Sequence, residues 1–218
     1  SVIRGQCETF VLNRREGLYK NKSSGELLEK AAVIMQRVIK ETDRASEITK
    51  RLTEFTKPVK AEVFEKIDLK KEIDGALDSL SSEPGFSAVK IVKNTPDGFF
   101  FITADKKQIR QILINILKNA SQSLNGPIGG KKIMLAIEKE KHFLKIEIKD
   151  TGCGIKKEII NKVFDPFFTT KNNSGGTGLG LFIVKQLVDR NKGRIEVKSG
   201  LGAGTMVTLR FPRSGMGS

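Results

Sequence analysis

From Leu27 to Phe55 the apolar residues recur every three or four positions: Leu27, Ala31, Ile34, Val38, Ala45, Ile48, Leu52 and Phe55. Only Glu41 interrupts the stripe. That period belongs to an α-helix. The stripe is a single narrow seam, which one helix cannot bury alone. It therefore requires a partner: residues 2–12, a second chain, or both. Ser23 and Glu26 stand at capping-box spacing and open the helix, and the polar stretch 13–25 reads as a hairpin loop. Pro58 ends the pattern, because a helix seldom continues through a proline.

Beyond Pro58 the spacing changes to short strands mixed with helices. Residues 69–80 predict a helix, 88–92 and 99–103 strands, and 105–124 a strong helix opened by Asp105 and Gln108. Residues 132–138 and 143–149 alternate as hairpin strands around the polar turn 140–142. A glycine-rich stretch leads to a helix over 181–191, then strands over 194–198 and 205–211. The expected class is α+β, an α/β sandwich with one sheet and helices on one face. The boundaries read as a helical hairpin over 1–60, an α/β domain over 61–213 and a tail over 214–218.

The 218 residues carry 39 basic and 25 acidic side chains, a formal charge of +14. Nucleic acid, an anionic membrane or a phosphorylated ligand would each suit that surplus. Its distribution disfavours the first two: residues 1–62 hold 13 basic against 9 acidic residues, and no dense run occurs in either half. A solvated lysine-rich surface is the simpler reading, so no nucleic-acid partner is expected. No apolar run reaches bilayer-spanning length, so a cytoplasmic location is expected, with any membrane anchor outside this stretch. Cys7 and Cys153 lack metal-type spacing and suggest no disulfide framework.

Four pieces carry the chemistry. On the helix over 105–124, Ile109, Ile112, Leu113, Ile116, Leu117 and Ala120 form the apolar face. Gln111, Asn115 and Asn119 stack four apart on another face. Asparagine is a poor helix-interior residue, and its amide oxygen suits a Mg²⁺ ion that already carries phosphate oxygens. A solvent-facing polar stripe explains the spacing equally well.

The second piece, DTGCGI from Asp150 to Ile155, follows a strand. A carboxylate there can accept from the exocyclic amine of adenine, with Gly152 and Gly154 letting backbone approach the ring. Taken alone, it is an ordinary Asp-Gly turn. The third, FDPFFTTK, runs into GGTGLGL. The aromatics can anchor one end of a loop, while Gly176, Gly178 and Gly180 precede a helix and offer backbone N–H groups to anions. Thr169, Thr170, Lys171 and Thr177 add hydroxyls and one positive charge. Neither a P-loop nor a G-x-G-x-x-G fingerprint is present. The fourth, GLGAGT, is either a tight turn or a part of the site in which the Thr205 hydroxyl helps hold Asp150 or a water.

In this order the pieces resemble the catalytic ATP-binding domain of sensor histidine kinases. The likeness covers most of residues 99–212: an asparagine box QILINILKNASQSL, a glycine box DTGCGI, a phenylalanine box FDPFFTTK and a second glycine box GTGLGL. It implies a Bergerat-type fold binding ATP and Mg²⁺. Asn119 would hold the metal and phosphates, with Asn115 and Lys118 at the phosphate end. Asp150 would meet adenine beside Gly152, Gly154, Ile155 and Thr205. Lys171 with Thr169, Thr170, Gly176, Thr177, Gly178, Leu179, Gly180 and Leu181 would form the lid, and Asn115, Lys118 and Lys171 would serve the transfer.

Residues 27–58 resemble the second helix of that family's dimerisation and phosphotransfer domain, half of a four-helix bundle, which implies a homodimer. SVIRG resembles the residues just after the phosphoacceptor box, so the acceptor histidine is expected immediately before Ser1. The chain's one histidine, His142, reads as an exposed turn residue. The implied function is γ-phosphate transfer from Mg·ATP to a histidine, for relay to a response-regulator receiver domain. The alternatives are an ATP-driven clamp of the same fold superfamily and a catalytically silent nucleotide-binding dimer.

Overall fold

A computed structural model describes residues 2–20, 22–56, 63–83, 85–124, 130–170 and 176–214. The chain divides into two compact units, Ser1–Lys57 and Pro58–Ser218.

The first unit is a helical hairpin of α1 (Val2–Arg15) and α2 (Ser24–Thr56). The capping box is formed. The Ser23 N–H donates to Glu26 Oε2 at 2.9 Å, and the Glu26 N–H donates to Ser23 Oγ at 3.3 Å. The loop is shorter than the polar stretch suggested, because α1 runs on to Arg15. Leu27, Ala31, Ile34 and Val38 are all half-buried, so α1 covers this part of the seam only partly.

The second unit contains two sheets. β2 (Lys90–Asn94), β4 (Lys132–Lys139), β5 (Phe143–Asp150), β7 (Thr205–Pro212) and β6 (Arg194–Ser199) form five strands in the order β2-β4-β5-β7-β6. All the pairings are antiparallel except β2 with β4. β1 (Phe64–Asp68) and β3 (Phe101–Asp105) form a separate antiparallel pair, where one sheet was expected. β1 escapes sequence reading because Ile67 is its only buried residue, so it lacks the alternation that marks a strand.

Packing follows the period of two. Leu135 lies opposite Ile148, Ile137 opposite Ile146, and Ile146 opposite Leu209, all of them buried. Each such side chain contributes about 1.5–3 kcal/mol on burial. Helices α3 (Leu69–Ser81), α4 (Lys106–Ser123) and α5 (Gly180–Arg190) bury the matching apolar faces. The opposite sheet face is charged, with Lys145 paired to Glu138 and Glu147, and Arg210 to Glu140 and Glu196.

α4 starts as its sequence predicts: the Asp105 carboxylate caps it by accepting from the Gln108 N–H at 3.0 Å. A longer-range tie fixes the same end. Buried Asn191, just after α5, accepts from the Asp105 N–H at 2.9 Å and donates to Gln108 Oε1 and to the Leu187 carbonyl, each at 2.8 Å. The two backbone partners, a donor and an acceptor, determine which way the amide points.

Candidate functional site

Burial along β5 alternates through Leu144, Ile146 and Ile148, and the next core-facing position is Asp150, only 4% exposed. A carboxylate at that depth is costly unless it is well bonded. Its Oδ1 accepts from Gly152 N at 2.8 Å, Ser123 Oγ at 2.9 Å and Thr205 N at 3.3 Å. Donors from the end of α4, the glycine box and the start of β7 thus converge on one oxygen.

The backbone closes around the same point. The Cys153 N–H donates to the Ser123 carbonyl at 3.2 Å, and the Gly202 N–H to the Cys153 carbonyl at 2.7 Å. The Ile155 N–H donates to Ser199 Oγ at 2.8 Å, and that hydroxyl lies 2.9 Å from Thr205 Oγ1. Three of the four sequence pieces therefore meet here. Thr205 holds Asp150 through its backbone N–H, while its hydroxyl is engaged with Ser199. Gly152 has a structural reason to be glycine: a Cβ there would overlap Ser123 Oγ and lie 2.6 Å from the Ser123 carbonyl oxygen. Gly154 packs in the same way against the Gly200 carbonyl.

Asn115 and Asn119 are half-buried on α4. Among the described residues neither side-chain amide has a hydrogen-bond partner, so both are available to a ligand. Asn119 is one turn from Ser123, an advance of about 6 Å along the helix, and Asn115 lies about 6 Å further on. Lys118 is committed elsewhere: its Nζ pairs with Glu83 Oε2 at 2.9 Å, with both side chains more than a third exposed.

In the third piece, Phe164 and Phe168 are half-buried, but Phe167 is 58% exposed, so it does not anchor the loop as a core aromatic would. Its backbone is left-handed, with φ 67°, and it lies against Gly178, whose φ is 69°. The two ends of the segment 167–178 therefore touch. Thr177 is buried, and its Oγ1 accepts from the Leu179 N–H at 3.4 Å. α5 begins at Gly180 with Leu179 at its cap and no side-chain capping bond, which leaves that end suited to an anion. Leu181 and Thr169 are half-buried and Thr170 is exposed. Lys171 lies outside the described residues. His142 is exposed between β4 and β5, and its carbonyl accepts from the Arg213 N–H at 3.1 Å.

Two contributors were missed from sequence. Ser199 carries no local signal, since its role depends on pairing across β6 and β7. Ser123 did carry one: it continues the four-residue spacing of Gln111, Asn115 and Asn119.

Residues 104–215 match the family described as histidine kinase-, DNA gyrase B-, and HSP90-like ATPase. The chain belongs to that family. Within it the resemblance is to sensor kinases. The chain is 31% identical over 176 residues to Sporulation kinase A of Bacillus subtilis (strain 168), covering 81% of this chain and 28% of that protein. It is 31% identical over 181 residues to the signal transduction histidine-protein kinase AtoS of Escherichia coli (strain K12), covering 83% and 29%. The chain thus spans less than a third of the length of these two relatives.

Among solved structures, the catalytic domain of histidine kinase ThkA in a nucleotide-free form matches with a TM-score of 0.60 and 26% identity, over 69% of this chain and 96% of that one. ShkA full-length in complex with AMPPNP matches with a TM-score of 0.67 over 87% of this chain and 40% of that one; at 20% identity the likeness is one of fold. Asp150, Asn115 and Asn119 accordingly sit in a histidine kinase catalytic domain. Among the described residues no helix is long and apolar enough to cross a membrane.

Proposed function

We propose that this histidine kinase catalytic domain binds Mg·ATP and transfers the γ-phosphoryl group to a histidine outside the given sequence, for relay to a response-regulator aspartate. The observation that carries the reading is Asp150, a buried carboxylate held through one oxygen by three donors at the end of β5. Such a fixed acceptor suits the exocyclic amine of adenine. The amides of Asn119 and Asn115, without a hydrogen-bond partner among the described residues, then follow along α4 toward the phosphates.

The donor chemistry fits magnesium. Among the described residues no group of three or more His, Cys, Asp or Glu could hold a metal by itself, and a neutral amide oxygen completes a shell already supplied by phosphates and water. Asn119 is the residue we assign to that ion. When bound, magnesium neutralises charge on the transferring phosphoryl group. The chain's own contribution is positioning: Asp150, Gly152, Gly154, Ile155 and Thr205 enclose the base, and Asn115 orients the phosphates. The N-terminus of α5 at Gly180 and Leu181, which no side chain caps, offers N–H groups to phosphate oxygens, and Gly176, Thr177, Gly178 and Leu179 lead into it. Lys118 serves the transfer by exchanging Glu83 for phosphate, and Lys171 with Thr169 and Thr170 completes the lid. The half-covered seam of α2 supports pairing with a second copy into a four-helix bundle.

Calorimetry with Mg·ATP tests the site, comparing the chain with Asp150→Asn, which keeps an oxygen for the three donors, and with Asn119→Ala. Binding weakened many-fold in Asp150→Asn, and weakened or made magnesium-independent in Asn119→Ala, is expected. No binding by the unsubstituted chain would refute the nucleotide reading. Phosphotransfer by a longer chain to a receiver domain would distinguish the kinase from an ATP-driven clamp.

A further inference from the structure

The polar stripe of α4 does not end at Asn119. Four residues on, Ser123 lies on the same line, and its hydroxyl is the point where α4 touches Asp150. Ser123 Oγ is 2.9 Å from Asp150 Oδ1 and 2.7 Å from the carbonyl oxygen of Ala120 in its own helix. One hydroxyl hydrogen therefore faces two acceptors. With Asp150 ionised, the charged oxygen is the stronger acceptor. If the hydrogen pointed to Ala120 instead, two lone-pair-bearing oxygens would face each other across 2.9 Å.

We propose that Ser123 is a positioning residue for adenine recognition, a role that rests on the nucleotide reading given above. An aspartate carboxylate rotates easily about its last torsion, whose energy profile is broad. The Gly152 and Thr205 N–H groups hold it from the loop side, at 2.8 and 3.3 Å. Ser123 holds it from the helix that carries Asn115 and Asn119. One rigid element thereby sets the distance between the base end and the phosphate end of the site. Rigid placement of this kind turns a hydrogen bond into selectivity.

The missing Cβ at Gly152 supports this assignment. It leaves the space that Ser123 Oγ occupies, and the Cys153 N–H to Ser123 carbonyl bond holds the glycine box against the helix end. Ser123→Ala removes the hydroxyl alone and keeps that backbone bond.

The test compares ATP with purine riboside triphosphate, which has the same sugar and phosphates but no exocyclic amine. Dissociation constants are measured with Mg²⁺ for the unsubstituted chain, Ser123→Ala and Asp150→Asn. Ser123→Ala is expected to weaken ATP roughly five- to tenfold, less than the full effect of losing a hydrogen bond to a charged group because the Gly152 and Thr205 N–H groups still hold the carboxylate, while the analogue changes by less than about twofold. Unchanged ATP affinity, or equal weakening of both ligands, would overturn the proposal, the second result meaning a purely structural serine. If Asp150→Asn abolishes the preference for ATP and Ser123→Ala does not, the nucleotide reading stands and the Ser123 role fails. If Asp150→Asn leaves the preference intact, both fail.

Discussion

Replacing Gly178 with alanine should loosen the base of the loop that precedes α5. Gly178 has φ 69°, and a Cβ built there would overlap the Phe167 carbonyl carbon and lie 2.5 Å from its oxygen and 2.7 Å from its Cα. The left-handed conformation costs an L-residue about 1–2 kcal/mol. Every nearby atom belongs to backbone, so no rotamer change relieves the overlap, and overpacking of this kind adds about 1–3 kcal/mol. The total of about 2–5 kcal/mol exceeds what a short surface turn can hold, so the contact between Phe167 and Gly178 should open before the sheet does. Amide exchange is the assay: protection at Leu179 should fall by at least tenfold, while β5 and β7 amides change little, and Mg·ATP binding should weaken. Phe167→Gly offers the reverse perturbation, removing left-handed strain from a side chain already 58% exposed. Unchanged protection at Leu179 in Gly178→Ala would show that the two left-handed residues are not what holds the loop ends together.

Asn191→Ala should lower the stability of the second unit by about 2–4 kcal/mol, because it removes three hydrogen bonds around a buried amide; urea unfolding followed by exchange of β5 amides measures it. Lys118→Ala and Glu83→Ala should each change stability by less than about 1 kcal/mol, since the pair is partly exposed. Their calorimetric ATP affinities should diverge, falling for Lys118→Ala and holding or rising for Glu83→Ala. Glu26, held below the usual carboxylate range first by the Ser23 backbone N–H and then by Lys22, supports the start of α2 above that range. Its support is lost as pH falls, so exchange at the Ser23 amide should accelerate on acidification, and Glu26→Gln should flatten that dependence.

The elements that could be read from sequence were those with a strong period. The apolar face of α4 and the alternation of β4 and β5 appear in the structure within a residue or two of expectation. Elements without a buried periodic face did not announce themselves. The 3-10 helix Lys157–Lys162 buries no residue and β1 only one, and burial is what writes a pattern into sequence. At the site, residue identity pointed to Asp150 and to the asparagines, but could not show that Thr205 acts through its N–H, since backbone donors look alike at every position. Nor could it show that Lys118 meets Glu83, 35 residues away. Phe167 shows the same limit: the aromatics suggested an anchor for one end of a loop, but a left-handed backbone at Phe167 lying against Gly178 is invisible until the chain is folded.

The burial of Asp150 bears on how variants of this chain will behave in cells. Its carboxylate joins three separate segments, so most substitutions there leave the Gly152 and Thr205 N–H groups without that acceptor and release Ser123 to the Ala120 carbonyl alone, and loss of one or two kcal/mol is enough to change abundance several-fold. The side chains of Asn115 and Asn119 join nothing within the described protein. In a scan that scores protein level and signalling separately, Asp150→Ala and Gly152→Ala should be depleted in both readouts, whereas Asn119→Ala should accumulate normally and fail only in signalling. On the nucleotide reading proposed above, genetic studies that need a silent but well-folded chain should therefore draw it from the asparagines of α4.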